Sequence, residues 1–179
     1  MTVYTVGHSN LEMGEFLSLL SEHGIGCIVD VRSSPYSRYA PHFSKDALGR
    51  ALARAGIQYV FEGAALGGRP DAPECYRKRA VPQEDCDYLA EVDYAAVMQK
   101  AWFREGIERL LRTAAEVPTA ILCSEADPKQ CHRHHLLAAY LLRNHADVRV
   151  LHVLTAGTFD AASLGSVADD PTVVQPSLF

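Results

Sequence analysis

Short apolar segments that alternate with amphipathic segments predict an α/β fold for this chain. The strand-length segments are apolar throughout rather than alternately polar, which is typical of parallel strands buried on both faces. A chain of 179 residues with 48% hydrophobic and 22% charged residues is of ordinary size and composition for one globular domain. We therefore expect a single domain over residues 1–179, with a mostly parallel central sheet of about five strands and helices on both faces.

The elements follow from the order of apolar runs and turn residues. Strands are predicted at 3–6, 27–31, 58–61, 119–122 and 148–154. Ser9 and Glu12 fit a capping box for the first helix, and Ser44 caps the second. Further helices are predicted over 94–116, broken near Gly106, and over 131–144. Residues 63–92 form a long irregular stretch, which is often functional, and a loosely held tail begins at about 156.

Charge and composition exclude several classes of partner. The net charge of -5 makes a whole-surface attraction to duplex DNA or anionic lipid unfavourable, although a local basic patch remains open. No apolar run reaches the roughly 20 residues of a membrane helix, and the first residues lack a secretory pattern. Five cysteines without a regular framework indicate reduced thiols. We expect a cytoplasmic protein with no membrane partner.

The first candidate site is the segment from Cys123 to Arg133. Parallel sheets place their sites at the carboxyl ends of strands, where Cys123 lies. Cys131 falls in the first turn of a helix, whose positive end lowers a thiol pKa and attracts anions. Arg133 shares the apolar face of that helix and points inward. Its expected partner is Asp30, Glu125 or an anionic ligand.

Three interpretations of this segment stay open. A cysteine thiolate can act as a nucleophile or persulfide carrier. Alternatively, Cys123, Cys131 and His132 can bind metal together with His134 or His135, although their spacing is not a standard zinc pattern. The third interpretation is structural, with two buried thiols and an internally paired arginine. No cofactor is predicted, and zinc is kept as an alternative.

The loop that follows the second strand is rich in cationic and aromatic side chains. Arg32, Arg38 and His42, with tyrosines between them, can hold phosphate and stack on a base or ring. Asp30 leaves the sheet where an unpaired carboxylate is unfavourable, so we expect it to pair with Arg32, Arg133 or backbone donors. The alternative is a solvated loop with ordinary ion pairs.

Two further residues complete the predicted pocket. His8 follows the first strand, where a general base would be useful, although a structural histidine is the alternative. Arg69 follows a pair of glycines that would let the backbone approach a ligand closely.

The order of these motifs resembles one known family. Thr5-Val6-Gly7-His8-Ser9, Asp30-Val31-Arg32-Ser33-Ser34-Pro35, Leu66-Gly67-Gly68 after Tyr59, and Leu122-Cys123 followed by Cys131-His132-Arg133 are similar to the family catalogued as domain of unknown function 488. The resemblance covers about the whole chain. It implies a compact α/β domain and a shared pocket without an assigned reaction, in bacterial housekeeping or nucleic-acid-maintenance proteins.

A looser resemblance is to the rhodanese fold. Asp30-Val31-Arg32 resembles its opening, and the strand, cysteine, loop and helix around Cys123 resemble its active-site loop. Glu125 and Asp127 depart from the rhodanese pattern, which argues against sulfur transfer at Cys123 and leaves Cys131 as the better thiolate.

The carboxyl-terminal residues Gln175, Leu178 and Phe179 resemble the short peptide by which bacterial replication and repair proteins bind the sliding clamp. Pro176 stands where that peptide usually has leucine. The alternative is a tail that packs on its own domain.

Together these observations predict a pocket for an anionic small molecule, either a nucleotide or a nucleic-acid fragment. Its chemistry is assigned to His8, Asp30 and Cys131, and its ligand contacts to eight residues: Arg32, Arg38, His42, Arg69, Cys123, Glu125, His132 and Arg133. The alternatives are a non-catalytic clamp-binding adaptor and rhodanese-like sulfur transfer, so whether the protein is an enzyme stays open.

Overall fold

The computed structural model describes residues 1–36 and 38–164 and places their strands in one sheet. The strands are β1 Thr2–Gly7, β2 Cys27–Asp30, β3 Gln58–Phe61, β4 Thr119–Cys123, β5 Arg149–Leu154 and β6 Gly157–Asp160. Their spatial order is β3-β2-β4-β1-β5-β6. The first five strands are parallel and β6 is antiparallel to β5, which confirms the predicted mostly parallel sheet.

The α-helices that follow the strands are α1 Met13–Glu22, α2 Lys45–Arg54, α3 Gly63–Leu66, α4 Tyr88–Glu91, α5 Tyr94–Met98 and α6 Ala101–Glu116. A π-helix, Arg133–Ala138, continues directly into α7, Ala139–Asn144. Short 3-10 helices occur at Pro41–Phe43, Pro73–Cys75, Pro128–Gln130 and Ala161–Leu164. Within the described residues, no helix is long and apolar enough to span a membrane.

Helices cover both faces of the sheet, as predicted. On one face, Phe16 and Leu20 of α1 and Leu52 of α2 pack in one cluster with Ile28 of β2. On the other face, the buried stripe of α6 and the apolar side of the π-helix pack in a second cluster with the remaining inward residues of the strands. Burial on both faces is the reason that these strands are apolar throughout.

The first helix begins later than predicted. Its N-cap is Glu12, and the capping box joins Glu12 to Glu15 rather than Ser9 to Glu12. Ser9 instead adopts a positive φ of 46° and donates its backbone N–H to the Ser124 carbonyl at 2.8 Å. The prediction is wrong by one turn because Ser9 belongs to the contact between the ends of β1 and β4.

The predicted helix over 94–116 is broken at a different point. It divides between Met98 and Ala101, whereas Gly106 lies buried inside α6. A Cβ on Gly106 would lie 2.9 Å from side-chain atoms of Ala65 and Leu66. Glycine is therefore present because α3 crosses α6 closely, not because the helix ends there.

The tail expected from residue 156 instead begins with a strand, β6, and a 3-10 helix. Leu154 to Leu151 pair with Gly157 to Asp160 across a tight turn. The long stretch over 63–92 also contains short helices. An isolated antiparallel β-bridge between Tyr76 and Val92 holds part of this stretch together.

The strand order fixes the position of the candidate site. Because β4 lies between β1 and β2, the carboxyl ends of these three strands are adjacent. Gly7 is in register with Cys123, and Asp30 is in register with Leu122. The residues that follow each strand therefore meet at one edge of the sheet, as the rule for parallel sheets predicts.

Candidate functional site

A buried ion pair lies at the end of β2. Arg32 donates from Nε to Asp30 Oδ1 at 2.9 Å and from Nη2 to Asp30 Oδ2 at 2.6 Å. The Tyr59 hydroxyl donates to the same Oδ2 at 2.7 Å, and Arg32 Nη1 donates to the Phe43 carbonyl at 2.9 Å. Asp30 is fully buried and Arg32 is 4% exposed. This confirms the predicted Asp30–Arg32 pair and gives it a bidentate, fully hydrogen-bonded geometry.

His8 completes this network from β1. Its Nδ1 lies 2.8 Å from the Ser9 carbonyl oxygen, so Nδ1 carries the proton, and Nε2 accepts from Arg32 Nη1 at 3.1 Å. The ring stacks on Phe43 with centroids 4.3 Å apart. Burial, reinforced by the Arg32 charge, lowers the pKa of His8 to about 4. His8 is therefore neutral at pH 7, and its Nε2 lone pair accepts the hydrogen bond from Arg32.

A second cluster of polar side chains lies at the end of β4. The Cys123 thiol donates to Glu125 Oε2 at 2.9 Å, and His132 Nδ1 lies 3.6 Å from Cys123 Sγ and 3.8 Å from Cys131 Sγ. The two sulfurs and this nitrogen all lie within 4.8 Å of one another. Both thiols and the imidazole are buried, whereas Glu125 reaches them from the solvent side.

Protonation in this cluster differs from the sequence-based expectation. Burial raises the pKa of Cys131 well above its ordinary value, and a hydrogen bond with Cys123 acts in the same direction. Partial burial raises the pKa of Glu125, but the hydrogen bonds from Cys123 and Cys131 outweigh it, so the net shift is downward. The structure thus favours a Cys131 thiol beside a Glu125 carboxylate, rather than a thiolate activated by the helix end.

Glycines explain how His132 reaches the two thiols. A Cβ on Gly68 would lie 2.7 Å from His132 Cγ, and a Cβ on Gly67 would lie 2.4 Å from Ser33 Oγ. The absence of a side chain therefore lets Gly68 pack against the imidazole and Gly67 pack against Ser33. Close approach of this glycine pair to a ligand stays a prediction; Gly68 lines the pocket and also packs on the residue that lies beside the thiols.

Arg133 has a different partner from the one expected. Its guanidinium is fully buried and donates from Nη1 to the Glu125 carbonyl and from Nη2 to the Ala126 carbonyl at 2.7 Å. Arg133 forms no ion pair with any carboxylate of the described residues. Backbone carbonyls therefore replace the predicted Asp30 or Glu125 carboxylate, and Arg133 holds the loop that positions Glu125.

A pocket of about 550 Å³ opens above the thiols, between the ends of β2 and β4 and the 63–92 stretch. Arg69 lies at its mouth, with its guanidinium 4.2 Å from the centroid of the Tyr88 ring. Its ion pair with Asp85 is long, at 3.6 Å, and both side chains are more than half exposed. Tyr94 lines the wall, and burial raises the pKa of its phenol, which is therefore a neutral hydrogen-bond donor.

The predicted residues divide into two groups with respect to this pocket. Six of them line it: Arg32, Arg69, Cys123, Glu125, Cys131 and His132. His8 and Asp30 lie behind Arg32, and Arg133 lies behind the Glu125 loop. Arg38 is exposed outside the pocket, and His42 is tied to the Leu11 carbonyl at 2.9 Å. Gln175, Leu178 and Phe179 lie outside the described residues, so clamp binding stays a prediction.

Several lining residues were not predicted individually. Cys86, Asp87 and Tyr88 come from the irregular stretch, and Tyr94 comes from the first turn of α5. The only available indication was the unusual length of the stretch, which marks it as functional without identifying which side chains turn inward.

Comparison with known proteins identifies a family but no function. The family model described as "Domain of unknown function DUF488" matches residues 12–141. Because this match covers most of the chain, the protein belongs to that family, as its motifs predicted. No curated protein and no solved structure matches the chain.

Proposed function

We propose that the protein binds a small anionic ligand, either a nucleotide or a nucleic-acid fragment, in the pocket above Cys123. The observation that carries this proposal is a pocket of about 550 Å³ that combines a cationic mouth with a floor of reactive groups. Ligand sites usually have volumes of roughly 300–1,000 Å³ and contain a few convergent polar groups. The pocket thus has the capacity for one nucleotide.

Arg69 is the residue proposed to recognise the anion. Its guanidinium is 52% exposed, and its partner Asp85 is 85% exposed, so solvent screens their long ion pair. A ligand phosphate can therefore replace Asp85 without leaving a buried charge unpaired. The Tyr88 ring holds the guanidinium in a defined plane, which favours bidentate contact with phosphate oxygens.

The charges in the pocket favour one orientation of the bound ligand. Glu125 contributes a carboxylate to the floor and would repel a phosphate there. The phosphate is therefore placed at the mouth near Arg69, and a neutral part of the ligand points toward Cys123 and His132. Tyr36, which lines the pocket and is 71% exposed, offers a ring on which a base can stack.

We propose that His8, Asp30 and Arg133 position the pocket rather than contact the ligand. His8 and Asp30 hold the Arg32 side chain, whose edge forms part of the pocket wall. Arg133 holds the Glu125 loop through backbone carbonyls. These three residues orient the pocket, and the chemistry of the floor falls to the Cys123, Glu125, Cys131 and His132 side chains.

Isothermal titration with nucleoside monophosphates, short oligonucleotides and inorganic phosphate tests this proposal. We expect one ligand class to bind and Arg69→Ala to weaken it by roughly 10–100-fold, the usual range for a hydrogen bond to a charged group. Arg50→Ala is the matched control, because Arg50 is an exposed arginine of α2 outside the pocket. The proposal is wrong if no ligand binds the wild type, or if Arg69→Ala and Arg50→Ala bind it equally.

A further inference from the structure

We infer that Cys123, Cys131 and His132 form a Zn²⁺ site in the floor of the pocket, with one coordination position open to the ligand. The inference deepens the proposed function and rests on it, since it supplies a cofactor for the same pocket. Two thiolates and one imidazole are a donor set that suits Zn²⁺, whereas hard cations such as Mg²⁺ and Ca²⁺ prefer oxygen ligands.

The two nitrogen–sulfur distances fit tetrahedral coordination. Zn–S bonds of about 2.3 Å and Zn–N bonds of about 2.0–2.1 Å at the tetrahedral angle separate nitrogen from sulfur by about 3.6 Å. His132 Nδ1 lies 3.6 Å from Cys123 Sγ and 3.8 Å from Cys131 Sγ. The nitrogen therefore has the spacing of a zinc ligand to both sulfurs, although the three residues are not in a standard zinc sequence pattern.

The number of donors corresponds to a reactive rather than a structural zinc. Structural sites usually contain four protein ligands, whereas catalytic sites contain three and leave one position for water or substrate. Among the described residues, the metal-binding group consists of Cys123, Cys131 and His132, and all three line the pocket. Glu125 Oε2 lies 2.9 Å from Cys123 Sγ and also lines the pocket. Its carboxylate would be available to accept a proton from a group bound in the pocket.

The structure offers one backbone contact to a metal-bound Cys131 sulfur. The Arg133 backbone N–H donates to Cys131 Sγ at 3.4 Å, which is the type of contact that orients a metal-bound sulfur. Gly68 packs against the His132 ring and holds Nδ1 toward the sulfurs. As two Zn–S bonds form, the two thiol protons leave to solvent.

The test is metal binding by the chelator-stripped, fully reduced full-length chain, measured with Zn²⁺ and with Co²⁺ as a spectroscopic substitute. We expect one Zn²⁺ per chain by elemental analysis, with release of two protons per Zn²⁺ at a pH where both thiols are protonated. We expect Co²⁺ to give a thiolate charge-transfer band and the intense visible bands of tetrahedral coordination. Cys123→Ser and His132→Ala should each weaken Zn²⁺ binding by more than about 100-fold, since loss of outer contacts alone costs roughly 10–100-fold.

Cys86→Ser is the matched control, because Cys86 lines the same pocket but lies outside the metal-binding group. Thermal melts of the metal-free variants verify that each is folded. The inference is overturned if the wild type gives no thiolate–cobalt band, or if Cys123→Ser binds Zn²⁺ as well as Cys86→Ser does. Titration of nucleoside monophosphates, short oligonucleotides and inorganic phosphate into metal-free protein separates the two proposals, because Arg69 lies at the mouth and its contact with an anion does not require the metal.

Discussion

The buried pair of Asp30 and Arg32 gives the sharpest prediction about stability. Asp30→Asn keeps the size of the side chain but removes the charge that Arg32 contacts through two nitrogens, at 2.9 and 2.6 Å. Arg32 is only 4% exposed, so water cannot replace the lost carboxylate. Breaking a buried pair from one side destabilises a protein by about 3–5 kcal/mol. For a chain of this size, that corresponds to a fall in Tm of roughly 6–20 °C.

The measurement is urea unfolding followed by circular dichroism, with the slope of the transition compared between variants. Arg149→Ala is the control, because the ion pair of Arg149 with Asp160 is 2.7 Å long but the arginine is 64% exposed. It should lose less than about 1 kcal/mol. Asp30→Asn combined with Arg32→Gln should recover part of the loss, since no buried charge is left unpaired. A loss below about 1 kcal/mol for Asp30→Asn would refute this reasoning.

Three further outcomes are expected. Burial lowers the pKa of His8 to about 4 and of His152 to about 3, so the unfolded state binds more protons below the ordinary value of 6.5. In urea unfolding at several pH values, the free energy of unfolding should carry no penalty from these histidines above about pH 6.5 and should fall toward pH 4, by up to about 1.4 kcal/mol per pH unit for each histidine. A free energy of unfolding that does not change over this range contradicts the prediction. Gly68→Ala places a Cβ 2.7 Å from His132 Cγ and should lower both Tm and ligand affinity, whereas Gly14→Ala, with nothing within 4 Å, should not. Deleting the last five residues should abolish capture by a bacterial sliding clamp in a pull-down but leave ligand titrations unchanged; equal capture eliminates the clamp hypothesis.

The sheet could be predicted from the sequence because its signals are local. Each parallel strand is a short, continuous apolar run, and the strand Gln58–Phe61 was predicted at its observed bounds. The sixth strand was missed because Gly157–Asp160 is mostly exposed and carries no apolar run. It exists through pairing with β5 across a tight turn, and pairing between strands is not visible in the hydropathy of either one.

The positions of site residues could be predicted from the sequence where those residues lie at the ends of strands. Because the sheet is parallel, Asp30 and Cys123 had to lie at one edge, and the structure places them there. The role of Gly68 was not predictable, since the close contact with His132 depends on how residues 63–92 fold back over the sheet. Sequence shows that a glycine is permissive but does not show which neighbour requires it.

The two arginines show why the sequence could not separate binding residues from structural ones. Arg32 follows the end of β2, and Arg133 begins the π-helix that follows β4. Both side chains are buried. A buried guanidinium needs acceptors, and carboxylates, backbone carbonyls and ligand phosphates can all accept from its N–H groups. Arg32 uses all its nitrogens on protein acceptors, and Arg133 uses both terminal nitrogens on the 125–126 backbone. Among the described residues that line the pocket, Arg69 is the arginine that keeps an exposed, weakly held guanidinium, and for that reason we propose that it recognises the ligand.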